Sequence, residues 1–125
     1  MIDVVCAVMV GEGEVLACQR PYDKEEGGKW EFPGGKVEPG EEFHAALRRE
    51  IEEELDLVIM VEDALGVVEH NGIRLHPFIS LIIGGQFRLK EHLASNWVNA
   101  DTGDFLPWAP ADRAIWVEVR QRLNL

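Results

Sequence analysis

Hydrophobic and polar positions divide the chain into short periodic blocks. Val4–Val10 and Glu14–Arg20 are apolar and β-branched on either side of Gly11-Glu12-Gly13, and predict two strands joined by a three-residue hairpin loop. That register sets Val10 opposite Glu14 and Cys6 opposite Cys18. Trp30-Glu31-Phe32 is a short extended stretch running into Pro33-Gly34-Gly35, a turn that no regular element tolerates. Pro39-Gly40 precedes the one strong helical pattern, Glu41–Leu55. Val58–His70 and Ile73–Ile83 predict two more strands around Asn71-Gly72, the preferred pair for a tight type I′ turn. Trp97-Val98 reads as a short strand. Pro110–Leu123 reads as an amphipathic helix with Ile115, Trp116, Val119 and Leu123 at helical spacing. No repeat or linker interrupts the pattern. Residues 1–125 are expected to form one domain of the α/β (α+β) class, a mixed β-sheet covered by helices.

Composition narrows the function classes. At 46% hydrophobic the chain can build a core, and its apolar runs are far shorter than the ~18–20 residues of a membrane span. Met1-Ile2-Asp3 lacks the basic start of a secretory signal. Two cysteines make no disulfide scaffold, so Cys6 and Cys18 are expected as buried thiols in a reduced, cytoplasmic chain rather than as a redox pair. A net charge of −11 opposes docking on a nucleic acid polymer or an anionic membrane. A polyphosphate ligand would need a divalent cation with it.

The central helix carries an anomaly. On a wheel of about 100° per residue, Phe43, Leu47 and Ile51 define the buried stripe. Glu50 and Glu54 fall within roughly 60° of Phe43 or Leu47, and Glu53 borders the stripe. Glu52 points away with Arg48. Like charges three and four residues apart repel, and acids sit poorly in a helix's last turn. A hard divalent cation reverses that balance, because Mg²⁺ and Mn²⁺ prefer carboxylate oxygens. A merely charged helix face is the plainer alternative. Arg49, one turn before Glu53, makes either a surface ion pair or an orienting partner for a metal-binding carboxylate.

From Gly35 the chain reads Gly35, five residues, Glu41, seven residues, then Arg49-Glu50-Ile51-Glu52-Glu53-Glu54-Leu55-Asp56-Leu57. This resembles the Nudix box, Gly-x5-Glu-x7-Arg-Glu-U-x-Glu-Glu-x-Gly-U, with U aliphatic. Six of the seven fixed residues match; Asp56 stands where the family has glycine. That glycine ends the helix with positive φ, a conformation Asp tolerates at a cost of about 1 kcal/mol or less. Trp30-Glu31-Phe32-Pro33-Gly34-Gly35-Lys36-Val37-Glu38 is similar to the segment preceding the box in the MutT-like, CTP pyrophosphohydrolase-like branch. The spacing to Arg20, Trp97 and Asp112 is similar as well.

The resemblance implies a Nudix-type α/β/α sandwich and a Mg²⁺-dependent hydrolase, with Mn²⁺ able to substitute. The reaction would convert (d)NTP and water to (d)NMP and pyrophosphate, on CTP or dCTP derivatives or oxidised guanine nucleotides such as 8-oxo-dGTP. Glu50, Glu53 and Glu54 would be metal ligands, with the backbone carbonyl of Gly34 and the loop residue Glu91 completing the set. Either Glu50 or Glu91 would be the general base. Arg49 would orient a box carboxylate, and Arg20 would grip substrate phosphate. Phe32, Pro33, Gly34 and Gly35 would line the nucleotide cleft. Asp112 would read the base. An ionised carboxylate only accepts, so it would favour bases offering N–H donors: cytosine first, then guanine or adenine derivatives.

Each assignment has a plain counterpart: an exposed loop acid for Glu91, a strand-end arginine for Arg20, a helix-dipole acid for Asp112. The four histidines show no paired metal spacing. Trp97 and Trp116 are expected in the core, and Phe78 and Trp108 either in the core or stacked on a base. The other functions left open are hydrolysis of another nucleoside diphosphate derivative (a dinucleoside polyphosphate, a nucleotide sugar, ADP-ribose) and nucleotide binding without catalysis. The expected partners are a nucleotide and, at most, a second copy of the chain, as monomer or homodimer.

Overall fold

The computed structural model describes residues 1–125. Strand β1 (Ile2–Gly11) lies at the centre, because Val5–Met9 are apolar on both sides and need cover on both faces. It turns through Glu12-Gly13 into β2 (Glu14–Gln19), and later runs parallel to β7 (Ile73–Gly85). Strands β3 (Trp30–Glu31) and β8 (Ala94–Val98) flank β2, and β4 (Gly34–Lys36) pairs with the first half of β1. Strands β5 (Leu57–Ala64) and β6 (Val68–His70) extend β7 antiparallel, so the sheet is mixed. Helix α1 (Phe43–Leu55) covers one face, where Ala46, Leu47, Ile51 and Leu55 pack on Val5, Ala7, Met9 and Leu16. Helix α3 (Pro110–Arg122) covers the other, where Ile115, Trp116 and Val119 meet Cys6, Val8, Val15 and Ala17. This is the expected α/β/α arrangement. No helix is long and apolar enough to cross a membrane.

Several local expectations change. The first hairpin turns on two residues, not three: Glu12 and Gly13 have φ of 49° and 77°, and Gly11 pairs with Glu14. One residue of register sends alternate side chains to opposite faces. Cys6 therefore packs under α3 and Cys18 under α1, and the two do not face each other. Of Pro33-Gly34-Gly35, expected as a turn, the two glycines instead open strand β4 (Gly34–Lys36). A Cβ on Gly34 would collide with the Val5 backbone, so glycine permits this pairing. The expected strand Val58–His70 breaks at Leu65–Val67, where Gly66 N–H bonds the Glu118 carboxylate at 2.8 Å. Trp97, expected in the core, keeps 40% exposure on strand β8, against Gly11. The short helix α2 (Ala100–Phe105) was not expected; Asn99 and Thr102 close a reciprocal cap at its start. Asn71-Gly72 forms the expected turn with both φ positive.

Candidate active site

Between α1, β4 and the start of α3 lies a cleft of about 410 Å³, which gathers Arg20, Lys24, Glu31, Phe32, Gly34, Gly35, Lys36, Glu54, Glu91, His92 and Asp112. A more open depression of about 580 Å³ lies outside α1, lined by Arg48, Arg49, Glu52, Glu53 and Lys90. Two of the expected site residues, Arg49 and Glu53, therefore face it rather than the cleft, while Arg20, Glu54 and Asp112 do not.

Helix periodicity puts Glu54 on the inner face with Leu47 and Ile51, and it is buried. Its Oε2 has no hydrogen-bond partner. Burial, reinforced by Glu31, Glu50 and Glu91, raises its pKa to about 9. Glu50 is half-buried, and burial raises its pKa as well, against the pull of Arg49. Its carboxylate lies where a Cβ on Gly35 would stand, so the glycine makes room for it. Glu53 is turned outward with 57% of its side chain exposed, although its wheel position borders the stripe.

Arg49 does more than pair with Glu53. It grips Glu41 through two bonds of 2.8 and 2.9 Å, reaches Glu50 at 2.8 Å and Glu53 at 3.3 Å, and donates to the Lys36 carbonyl at 3.1 Å. This guanidinium drives the Glu41 pKa down to about 2. The box residues Glu41 and Arg49 thus act as a brace that fixes Glu50 and ties α1 to the end of β4.

At one end of the cleft, Arg20 is fixed by an ion pair to Glu31 and a 2.8 Å bond from Nε to the Glu25 carbonyl. Glu31 also meets the buried His92 Nε2 at 2.8 Å. Neither Glu31 nor His92 stands out in the sequence. A signal existed for Glu31, which alternation on a two-residue strand turns away from the buried Phe32. His92 carries none. At the other end, Asp112 Oδ1 accepts the Phe32 backbone N–H at 2.9 Å. Burial raises the Asp112 pKa to about 7. The ring of Phe32 packs inward on Trp108 at 4.8 Å, Trp108 stacks on Trp116, and Phe78 is buried too; all four belong to the core. Pro33 is buried, accepting Ala7 N–H at 2.8 Å, and does not line the cleft.

The donors near Glu54 are carboxylate oxygens, which suit a hard divalent cation. No three His, Cys, Asp or Glu side chains converge closely enough to hold an ion as they stand. The fit rests instead on Glu54: a buried oxygen without partner among three like charges is what a cation satisfies.

A helix bearing this glutamate array, sandwiched on a mixed sheet beside a glycine strand, defines a Nudix domain. The Nudix domain model matches residues 1–122, and the chain belongs to the Nudix family. Nudix hydrolases generally work with divalent metal ions. The chain is 37% identical over 116 residues to a CTP pyrophosphohydrolase of Escherichia coli (strain K12), covering 90% of this chain and 86% of that protein. It is 36% identical over 126 residues to a putative 8-oxo-dGTP diphosphatase 2 of Mycobacterium tuberculosis, covering 97% and 89%. The solution structure of the E. coli ORF135 protein superposes with a TM-score of 0.79 at 32% identity, covering 97% and 91%.

Proposed function

We propose that this protein is a nucleoside triphosphate pyrophosphohydrolase, cleaving (d)NTP to (d)NMP and pyrophosphate with Mg²⁺, or Mn²⁺ in its place. The observation that carries this reading is the buried Glu54 Oε2 without a hydrogen-bond partner, in a cleft with a braced arginine at one end and a buried aspartate at the other. Both relatives described above act, by name, on nucleoside triphosphates, and one is a CTP pyrophosphohydrolase.

Glu50, Glu53, Glu54, Glu91 and the Gly34 carbonyl would hold the cation, which neutralises phosphate charge and makes bound water easier to deprotonate. Glu53 and Glu91 are both exposed and would have to turn their side chains inward to join that arrangement. Arg20 grips phosphate with the guanidinium nitrogen that Glu31 and Glu25 leave free. Glu50, fixed by Arg49 against Gly35, is the preferred proton acceptor, with Glu91 the other candidate in reach. Asp112 keeps one oxygen on Phe32 and turns the other to the base, where it accepts an N–H such as the cytosine amino group.

The test is pyrophosphate release from a panel of NTPs and dNTPs, including 5-methyl-dCTP and 8-oxo-dGTP, with Mg²⁺. Release should favour cytosine nucleotides and fall at least about 100-fold in Glu54→Gln. A mutant as active as the wild type would refute the assignment. Silence across the panel would move the substrate to another nucleoside diphosphate derivative.

A further inference from the structure

The chain departs from the family box at the residue that ends α1, and the side chain there makes contacts that glycine cannot. Asp56 adopts φ 55° and closes the helix with its N–H on the Glu52 carbonyl. Its carboxylate forms an ion pair with Lys90 and lies 3.8 Å from Arg88 Nε. Backbone bonds run alongside: Gln86 N–H to the Asp56 carbonyl at 3.2 Å, Arg88 N–H to Leu55 at 2.9 Å, Lys90 N–H to Glu54 at 3.2 Å. The segment from Gln86 to Lys90 is laid along the last turn of α1 and satisfies the orphan carbonyls of Glu54 and Leu55.

Glu91 comes next. Beyond it, His92 is fastened to Glu31 at 2.8 Å, and Leu93 N–H bonds the Gln19 carbonyl at 2.9 Å. Glu91 therefore hangs between two fastenings, one to the end of α1 and one to the β2–β3 side of the cleft. Glycine at position 56 would keep the backbone half of the first fastening and lose the charged half.

We infer that Asp56 is a positioning residue: its carboxylate, through Lys90, holds the Gln86–Lys90 segment so that Glu91 is presented beside Glu54. The inference rests on the reading of Glu91 as a site carboxylate.

The experiment uses the whole chain and two readouts: hydrogen exchange of the Arg88 and Lys90 amides without metal, and kcat with KM for the best triphosphate with Mg²⁺. Asp56→Asn, Asp56→Gly and Lys90→Gln should each exchange faster at both amides and lose about threefold to fivefold in kcat, with KM unchanged. Lys90→Arg should keep wild-type values, and Asp56→Asn with Lys90→Gln should lose no more than either alone. Asp56→Gly separates this role from helix capping. Glycine suits the positive φ better, so its melting temperature holds while kcat falls. Exchange and kcat within twofold of wild type in both Asp56 variants would overturn the inference. Glu91→Gln identifies a failure of the underlying reading: wild-type kcat there removes the catalytic role of Glu91, whatever the amides of Arg88 and Lys90 do.

Discussion

At the residue scale, the site is a problem in charge pairing. Glu31 is answered by Arg20 and Glu50 by Arg49, both at hydrogen-bond range. Glu54 has no cationic partner, its buried Oε2 has no hydrogen-bond partner, and it takes a proton or a cation. Asp112 poses the same problem at the end of the cleft proposed for the base, with one oxygen committed to Phe32. In Asp112→Asn the amide oxygen can keep the Phe32 N–H, and the group facing the base becomes a donor. The ratio of kcat/KM for cytosine over thymine deoxynucleotides should then fall by about 10- to 100-fold. An unchanged ratio in the variant would mean that Asp112 does not face the base.

At the element scale, two adjacent glycines serve different purposes. Gly34 abuts the Val5 backbone, which cannot move without breaking the β1–β4 pairing. Gly35 abuts only the end of the Glu50 side chain. Gly34→Ala should therefore destabilise the fold by about 3 kcal/mol or more. Gly35→Ala should leave the melting temperature nearly intact and lower kcat by displacing Glu50. Thermal melts beside kinetics check the pair, and equal stability losses would refute the distinction. The same strand shows what a sequence can convey. Helix α1 was legible in apolar period and box spacing, down to the left-handed Asp56. The Asn71-Gly72 turn was legible because both residues tolerate the positive φ that such a turn needs. Strand β4 was not, since its glycines are chosen for what lies against them, and the partners come from β1 and α1. The first hairpin failed by one residue, because Gly11-Glu12-Gly13 fits a loop of two or three. Pairs such as Glu31–His92, separated by 61 positions, leave no local trace.

At the scale of the whole molecule, burial of acid groups makes stability depend on pH in an unusual direction. Glu54, Asp112 and Glu50 all have folded pKa values above those of the unfolded chain, about 9 and about 7 for the first two. Their protonated forms support the fold fully below about pH 4, and this support is lost as pH rises through 7 and then 9. A net charge of −11 adds self-repulsion in the same direction. Glu41, lowered to about 2, behaves oppositely, but its contribution is lost only below about pH 4.5 and leaves the neutral range alone. In EDTA the melting temperature should therefore fall from pH 6 to pH 8.5. Excess Mg²⁺ should reverse the fall, because the cation binds deprotonated carboxylates and competes with protons for them. At a hundredfold excess over Kd the gain is about 2.7 kcal/mol, several degrees for a domain of this size. The Mg²⁺ shift should be larger at pH 8.5 than at pH 6, and Glu54→Gln should shrink it at pH 8.5. Scanning calorimetry at both pH values decides the matter. A Mg²⁺ shift equal at the two, or undiminished in the variant, would mean that the cation binds elsewhere than at Glu54.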